Sequence, residues 1–238
     1  MKKVGILGGM GPEATILLQQ RLLKAVPATR DTDHIPLLID MNPQVPSRIE
    51  RLIHRTGPDP APVLATMAQR LERAGASALA MPCNTAHHYA EEIKAAVSIP
   101  FLDMVALSVN MVVSASKTNQ VIGLLASPAV RKTGLFDPLL IAADRIPLWP
   151  ALDDKILKTI ELIKAKGSCE HARANFSSAS QDLFDQGAEL QLIACSEFSL
   201  IAEHACRDCT TIDTLNVLIE AIRNFSQPFG RAYNLEKY

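Results

Sequence analysis

The sequence predicts an α/β protein with two similar Rossmann-like halves and mainly parallel sheets. Three observations support this fold class: short apolar runs alternate with helical stretches, the chain contains an internal repeat, and its length allows two cores. The repeat is the most specific. Residues 71–83 and 183–195 each contain a helix end, a Gly-Ala pair, an apolar strand and a final cysteine. One offset of 112 residues, from Cys83 to Cys195, relates them without a gap.

Five apolar runs predict strands that are covered on both faces, because a parallel sheet between helix layers has no polar face. These runs are 4–7, 35–39, 78–81, 121–125 and 190–194. Two looser matches extend the repeat, since residues 4–9 resemble 122–127 and residues 99–103 resemble 210–213. We therefore expect equivalent strands in the two halves.

The stretches between the strands have apolar residues at 3.6-residue spacing, which predicts helices. Pro12 suits the first turn of the first helix, and Gly75 suits the end of the second. The predicted helices span 15–26, 61–74, 87–97, 105–115, 153–166, 170–186 and 214–225. Alternation of strands and helices is typical of parallel sheets.

The two halves are expected to meet near Pro100 and again near Cys209. The last helix would return to the first half and make that domain discontinuous. We therefore predict a first domain of residues 1–100 plus 210–238, and a second domain of residues 101–209. Equivalent strand ends would then lie on either side of a cleft, with one cysteine on each side.

Charge and cysteine content exclude several classes of partner. The net charge of −1 does not favour binding to nucleic acid or to an anionic membrane. No apolar run approaches the ~20 residues of a membrane span, and the apolar stretch that begins at Val4 is too short for a secretory signal. Five cysteines in such a chain indicate reduced thiols and a cytoplasmic protein.

The first glycine loop follows a buried strand and opens a helix. Its glycines let the backbone approach an anion, which the helix N-terminus would favour. The spacing Gly9-x-Gly11-x-x-Ala14 also fits a dinucleotide fingerprint, with Asp40 as a ribose partner. Pro12 removes one amide that a pyrophosphate would use, and the loop can equally be a tight turn. A dinucleotide-binding protein without catalytic activity is therefore one alternative.

Cys83 stands at a strand end before a helix, within the run Met-Pro-Cys-Asn-Thr-Ala-His at 81–87. The positive end of that helix would lower the pKa of the thiol from about 8.5. Asn84, Thr85 and the amides after them can hold a carboxylate. A single cysteine is more often a buried structural residue, but Cys195 repeats the arrangement in the other half and favours a functional pair.

Three further groups are ambiguous when taken alone. A proline-rich loop ends in Arg48, which could hold a carboxylate through two hydrogen bonds or could lie on the surface. Cys206 and Cys209 form a CxxC motif without a second pair, so a zinc site is incomplete and both are interpreted as ordinary cysteines. His87 and His88 could assist a cysteine nucleophile or cap the helix, and their role stays open.

Three phrases together resemble the aspartate racemase branch of the aspartate/glutamate racemase superfamily. They are Gly-Gly-Met-Gly-Pro-Glu-Ala-Thr at 8–15, Asn-Pro-Gln-Val-Pro-Ser-Arg at 42–48 and Met-Pro-Cys-Asn-Thr-Ala-His at 81–87. The resemblance covers nearly the whole chain, and the third phrase is highly specific. At the second cysteine the family has Gly-Cys-Thr-Glu, whereas this chain has Ala-Cys-Ser-Glu at 194–197, which keeps a hydroxyl.

The resemblance implies a cofactor-independent isomerase that interconverts L- and D-aspartate, with neither pyridoxal phosphate nor a metal. Cys83 and Cys195 would flank the substrate Cα, one removing a proton as thiolate and the other returning one as thiol. Arg48 would hold the distal carboxylate. The other implied substrate-binding residues are Gly9, Met10, Asn84, Thr85, Ser127, Ser196 and Glu197. Relatives also imply a homodimer.

A lysine that shares the distal carboxylate in close relatives is expected near Asp153 or Asp154. Lys155 or Lys158 could replace it after a shift in register, whereas an acid at that place would repel a dicarboxylate. A same-fold alternative is therefore a racemase or isomerase of another acidic compound, such as glutamate or a maleate-like diacid.

Overall fold

The computed structural model describes residues 1–151 and 153–227, and it confirms the predicted fold class. The strands are β1 (Val4–Gly8), β2 (Leu37–Met41), β3 (Ala78–Ala80), β4 (Phe101–Leu102), β5 (Val121–Ala126), β6 (Ile146–Leu148), β7 (Leu190–Ala194) and β8 (Thr210–Asp213). They form two four-stranded parallel sheets, in the orders β2-β1-β3-β4 and β6-β5-β7-β8.

The helices follow the predicted alternation. They are α1 (Pro12–Ala25), α2 (Ala61–Arg73), α3 (Ala90–Ala96), α4 (Met104–Ala115), α5 (Pro128–Thr133), α6 (Asp137–Ala142), α7 (Asp153–Lys166), α8 (Glu170–Asp185) and α9 (Thr214–Ser226). The short elements α5, α6 and β6 were not predicted, because a few residues carry too little periodicity. Within the described ranges, no helix is long and apolar enough to span a membrane.

The internal repeat is reproduced in the strand register. Val4 pairs with Ala78 in the first sheet, and Ile122 pairs with Leu190 in the second. These four positions are the ones that the sequence repeat makes equivalent. The repeat therefore records the same four-stranded unit twice, with each cysteine after an inner strand.

The sheets end slightly later in the chain than the predicted domain boundaries. Residues 101–102 form β4 and pair with β3, and residues 210–213 form β8 and pair with β7. Each strand thus completes the sheet of the half that precedes it, because the chain crosses over only in the following helix. The division into two domains stays a prediction, and residues 228–238 of the first domain lie outside the described residues.

Helices α4 and α9 pass from one half to the other. Val109 and Val112 on α4 pack into the core around Ile122 of the second sheet. The last helix makes the opposite crossing, since Leu218 and Ile222 pack with β1, β3 and α1 of the first half. Burial of these apolar side chains joins the two sheets into one body.

Two equivalent aspartates cap the crossing helices. The carboxylate of Asp103 accepts hydrogen bonds from the amides of Val105 and Ala106, each at 3.1 Å. Asp213 accepts one from the amide of Leu215 at 2.9 Å. An aspartate at this position satisfies amides that the helix leaves unpaired, so both crossings start at fixed points.

A buried ion pair joins α1 of the first half to β8 of the second. Arg21 Nη1 donates to Asp213 Oδ2 at 2.6 Å and to Asn216 Oδ1 at 2.8 Å, while Nη2 donates to the carbonyl of Ser199. The hydroxyl of Ser199 donates to the other oxygen of Asp213 at 2.7 Å. The Asp213 carboxylate is 6% exposed, so its charge depends on these partners.

We expect Arg21→Ala to lower the free energy of unfolding by about 3 kcal/mol, because it leaves the buried charge of Asp213 without its partner. The control is Arg70→Ala, which breaks a more exposed ion pair with Asp40 and should cost about 1 kcal/mol or less. Urea denaturation measures both values. Equal losses in the two variants would contradict a special role for the Arg21 contact.

Candidate active site

The two cysteines lie at the carboxyl ends of equivalent inner strands. Cys195 directly follows β7, and Cys83 follows β3 after two residues. Both side chains are buried, each residue being 6% exposed. Parallel α/β sheets place their ligands at this edge. A cavity that opens to solvent lies between the two edges, with about 440 Å³ of empty space including its mouth, and residues of both halves line it.

The cavity brings together most of the residues that the sequence analysis singled out. Those that line it are Met10, Arg48, Cys83, Asn84, Thr85, Ser127, Cys195, Ser196 and Glu197. Four more lining residues were not predicted: Ser47, Ile49, Ile160 and Lys164. The catalytic and binding roles of all these residues stay a prediction.

Gly9 is not among the described residues that line the cavity. Its φ of +91° favours glycine, and an added Cβ would lie 2.4 Å from the carbonyl carbon of Asn42. Its amide donates to the hydroxyl of Thr15 at 3.0 Å. Gly9 therefore lets the first loop pack against Asn42, directly after β2. The next residue, Met10, lines the cavity.

Arg48 is held by its own loop. Its Nη1 donates to the carbonyl of Val45 at 3.2 Å and to the carbonyl of Pro46 at 2.9 Å. Its Nε is buried without a hydrogen-bond partner among the described residues. Unpaired buried donors are rare in proteins, so this nitrogen is suited to a ligand oxygen.

Lys164 is the cationic residue that the sequence analysis missed. It lies in the last turn of α7, where Nζ is 3.4 Å from Glu197 Oε1. Asp153, near which a lysine of this kind was expected, is not among the described residues that line the cavity; its carboxylate pairs with Arg131 at 3.0 Å and is about half exposed. Ile160 lies one helical turn earlier and also lines the cavity, so one face of α7 contributes both residues.

Hydrogen bonds between the halves use many of the polar groups around the cysteines. The hydroxyls of Thr85 and Ser127 lie 3.1 Å apart, and Ser196 Oγ donates to the carbonyl of Pro82 at 2.9 Å. Asn84 Nδ2 donates to the hydroxyl of Thr214 at 3.0 Å. This bond uses one of the two N–H groups of the Asn84 amide, so the expectation that Asn84 helps to hold a carboxylate stays a prediction.

Burial dominates the electrostatics of both thiols. It raises the pKa of Cys83, while the charge of Arg48 and the amide of Ala86 oppose the shift. Burial also raises the pKa of Cys195 well above its usual value, and the adjacent Glu197 carboxylate raises it further. The prediction that the helix end lowers the thiol pKa was wrong here, because desolvation of a thiolate outweighs a few nearby amide dipoles.

Glu197 connects the second thiol to Lys164. The thiol of Cys195 donates to Glu197 Oε2 at 3.1 Å, and the other carboxylate oxygen faces the ammonium of Lys164. Burial opposes the charge of Lys164, but Glu197 and the two thiol groups outweigh it and raise the pKa of the lysine. The cavity thus has one cation and one anion beside Cys195, whereas Arg48 acts on Cys83.

His87 holds the Cys83 loop and does not pair with its thiol. Its Nδ1 is 2.8 Å from the carbonyl of Cys83, and its Nε2 is 3.1 Å from the amide of Met104. An amide can only donate, so Nε2 accepts and Nδ1 carries the proton. Burial lowers the pKa of His87, which agrees with a neutral ring. His88 is exposed and packs against the edge of Tyr89.

The two rival motifs are engaged elsewhere. Asp40, the candidate ribose partner, forms an ion pair with Arg70 at 2.6 Å. In the CxxC motif, the thiol of Cys209 donates to the carbonyl of Cys206 at 3.0 Å. Among the residues that the structure describes, no group of three or more His, Cys, Asp or Glu could hold a metal ion.

Known proteins with similar sequence or structure are racemases. The chain is 26% identical over 215 residues to the broad specificity amino-acid racemase RacX of Bacillus subtilis (strain 168), with 89% of this chain and 92% of that protein covered. The aspartate racemase of Picrophilus torridus shares 25% identity and a TM-score of 0.85, with 95% of this chain and 94% of that chain covered.

A more distant structure shares the fold alone. The glutamate racemase of Francisella tularensis subsp. tularensis SCHU S4, in complex with D-glutamate, has a TM-score of 0.64 at 15% identity, covering 98% of this chain and 84% of that one. The model of the Asp/Glu/hydantoin racemase family matches residues 7–222 and so spans both sheets and both cysteine-bearing strand ends. The chain therefore belongs to the Asp/Glu/hydantoin racemase family and is an isomerase.

Proposed function

We propose that this protein racemises aspartate without a cofactor, by proton transfer between the substrate Cα and the thiols of Cys83 and Cys195. The observation that carries the proposal is the position of the two buried cysteines, which follow equivalent strands on one cavity. A racemase needs a base on one face of the carbon and an acid on the other. Duplicated halves supply both groups with nearly the same backbone.

The charges of the cavity support an acidic substrate. Arg48 and Lys164 contribute two positive charges and Glu197 one negative charge, so the lining is net cationic when both thiols are protonated. Aspartate carries a net charge of −1 and would neutralise it. The unpaired Nε of Arg48 and the ammonium of Lys164 would hold the distal carboxylate. One relative has broad specificity, and a structure of the same fold is a glutamate racemase, so glutamate is the first alternative substrate to compare.

The unequal surroundings of the thiols suggest different starting roles. Arg48 stabilises a negative charge on Cys83, whereas the Glu197 carboxylate keeps the proton on Cys195. Cys83 would then act as thiolate and remove the α-proton, and Cys195 would donate its proton to the opposite face. After one turnover Cys83 is protonated and Cys195 is the thiolate. The enzyme in this state is ready to catalyse the reverse reaction.

The carbanion would be stabilised through the α-carboxylate, into which its charge spreads. Thr85 and Ser127 share one hydrogen bond between two hydroxyls, which leaves the second hydroxyl hydrogen available as a donor. The amides at the start of the helical turn Thr85–Tyr89 add further donors. Preorganised donors of this kind stabilise developing charge in a site that excludes water.

The proposal includes a cytoplasmic homodimer. All five cysteines are free thiols, which suits a reducing compartment. Exposed apolar side chains lie on α1 and on β2, the edge strand of the first sheet; they are Ile16, Leu23, Ile39 and Met41. A second copy of the chain would cover such a surface.

The first test is incubation of L-aspartate in D2O with the purified protein and no added cofactor. We expect deuterium at Cα together with loss of optical rotation, since the returning proton comes from a thiol that exchanges with solvent. NMR and polarimetry measure both changes. A requirement for added pyridoxal phosphate or metal would contradict the mechanism. Activity on glutamate but not on aspartate would show that glutamate is the substrate.

Each of Cys83→Ala and Cys195→Ala should reduce racemisation by at least about 1000-fold, because one thiol cannot serve both faces. Circular dichroism should be unchanged, since alanine removes only a small buried group. Cys169→Ser and Cys209→Ser are controls on thiols outside the cavity and should keep full activity. Racemisation near the wild-type rate in either alanine variant would refute the two-thiol mechanism.

Lys164→Met should weaken kcat/KM for aspartate by about ten- to a hundredfold, the typical effect of losing a hydrogen bond to a charged group. Arg48→Ala should do the same. The control is Lys158→Met, a change at an exposed position of the same helix. If Lys164→Met lowers kcat/KM equally for alanine, which has no distal carboxylate, the residue does not recognise that group.

A further inference from the structure

The cavity contains hydrogen-bond acceptors that a carboxylate of the substrate cannot use. Arg48 and Lys164 present donors, as a diacid requires. Glu197 lines the same cavity and its carboxylate has only acceptors, and Asn84, which also lines it, has an unpaired acceptor oxygen. An oxygen acceptor beside a carboxylate is repulsive, so these two residues need a different substrate group.

The orientation of the Asn84 side chain follows from its hydrogen-bond chain. Thr214 Oγ1 donates to the carbonyl of Ile193 at 3.1 Å, since a carbonyl can only accept. The same hydroxyl therefore accepts from Asn84, and the group that donates is Nδ2, at 3.0 Å. This leaves Oδ1 of Asn84 as the other end of the amide. It is buried and has no hydrogen-bond partner among the described residues.

Glu197 lies next to the reacting position. Its Oε2 is 3.1 Å from the sulfur of Cys195, which would face the substrate Cα. A substituent of Cα that points toward Glu197 would therefore lie near this carboxylate. Its Oε1 is 3.4 Å from Lys164 Nζ, and the Glu197 side chain is only 12% exposed. A carboxylate this buried requires a cationic partner.

We propose, resting on the racemase function above, that Glu197 and Asn84 Oδ1 together bind the α-ammonium group of the substrate. The ion pair between Lys164 and Glu197 is then exchanged when an amino acid binds. Lys164 then pairs with the distal carboxylate of the substrate, and Glu197 pairs with its ammonium group. Lys164 can make this change because its side chain is 44% exposed and bonded only at one end of the Glu197 carboxylate.

This contact determines which diacids the cavity accepts. A diacid without an amino group would occupy Arg48 and Lys164 and leave the buried Glu197 charge without a cation. The contact also aids the chemistry, because Glu197 only accepts hydrogen bonds and the amino group stays protonated. A protonated amino group withdraws electrons from Cα and stabilises the carbanion.

Titration calorimetry of DL-aspartate and of succinate tests the inference, since succinate keeps both carboxylates and lacks the amino group. The racemic acid is used because the enzyme would equilibrate either enantiomer. Wild type should bind aspartate at least about tenfold more tightly than succinate. Glu197→Gln should remove this preference, with weaker aspartate binding and unchanged or tighter succinate binding.

The matched control is Glu203→Gln, which alters a surface glutamate paired with His204 and should keep the wild-type preference. Equal binding of the two acids by wild type would overturn the inference. This comparison uses the wild-type protein alone, so it does not depend on whether a variant folds. A parallel loss of both ligands in folded Glu197→Gln would overturn it as well. If wild type racemises aspartate in D2O without preferring it to succinate, only the ammonium contact is wrong. If it neither racemises nor binds aspartate, the proposed substrate is wrong and the inference fails with it.

Discussion

The geometry of the cavity depends on the exchange of helices between the two sheets. Helix α4 leaves the first sheet and packs on the second, and α9 makes the reverse crossing. Each begins at a capping aspartate, and Asp213 is also the buried anion that Arg21 neutralises from the first half. Because apolar packing and one buried charge pair both cross the interface, the carboxyl ends of the two sheets are held toward each other. The two thiols take their relative position from this arrangement.

On this symmetric backbone, the side chains that follow the two cysteines differ. The positions after Cys83 hold Asn84 and Thr85, whereas the positions after Cys195 hold Ser196 and Glu197. The electrostatic consequence is unequal thiols, because a carboxylate lies beside one sulfur and an arginine acts on the other. The symmetric strands place one thiol on each face of the substrate. The side chains that differ between the two halves distinguish the carboxylates from the amino group. Racemisation requires both features, because a proton leaves Cα on one face and returns on the other while the carboxylates and the amino group stay bound.

Hydrogen bonds to distant parts of the chain limit what the polar side chains near the thiols can do. The Asn84 amide donates one of its N–H groups to Thr214, although 130 residues separate the two. The carbonyl of Cys83 and the amide of Met104 engage both ring nitrogens of His87, so this ring does not assist a thiol. Lys164 was missed by the sequence analysis. A lysine in the last turn of an amphipathic helix is ordinary in sequence, and only the position of α7 makes it part of the cavity.

The sequence by itself determined the alternation of strands and helices, the duplication, and the strand-end position of Cys83 and Cys195. These follow from local periodicity and from a repeat without gaps, so no distant contact is needed to derive them. Tertiary structure decided which polar atoms remain available, that burial outweighs the helix end at the thiols, and that Lys164 joins Glu197. The physical reason is that desolvation and hydrogen-bond pairing depend on every group packed around an atom, and most of those groups lie far away along the chain.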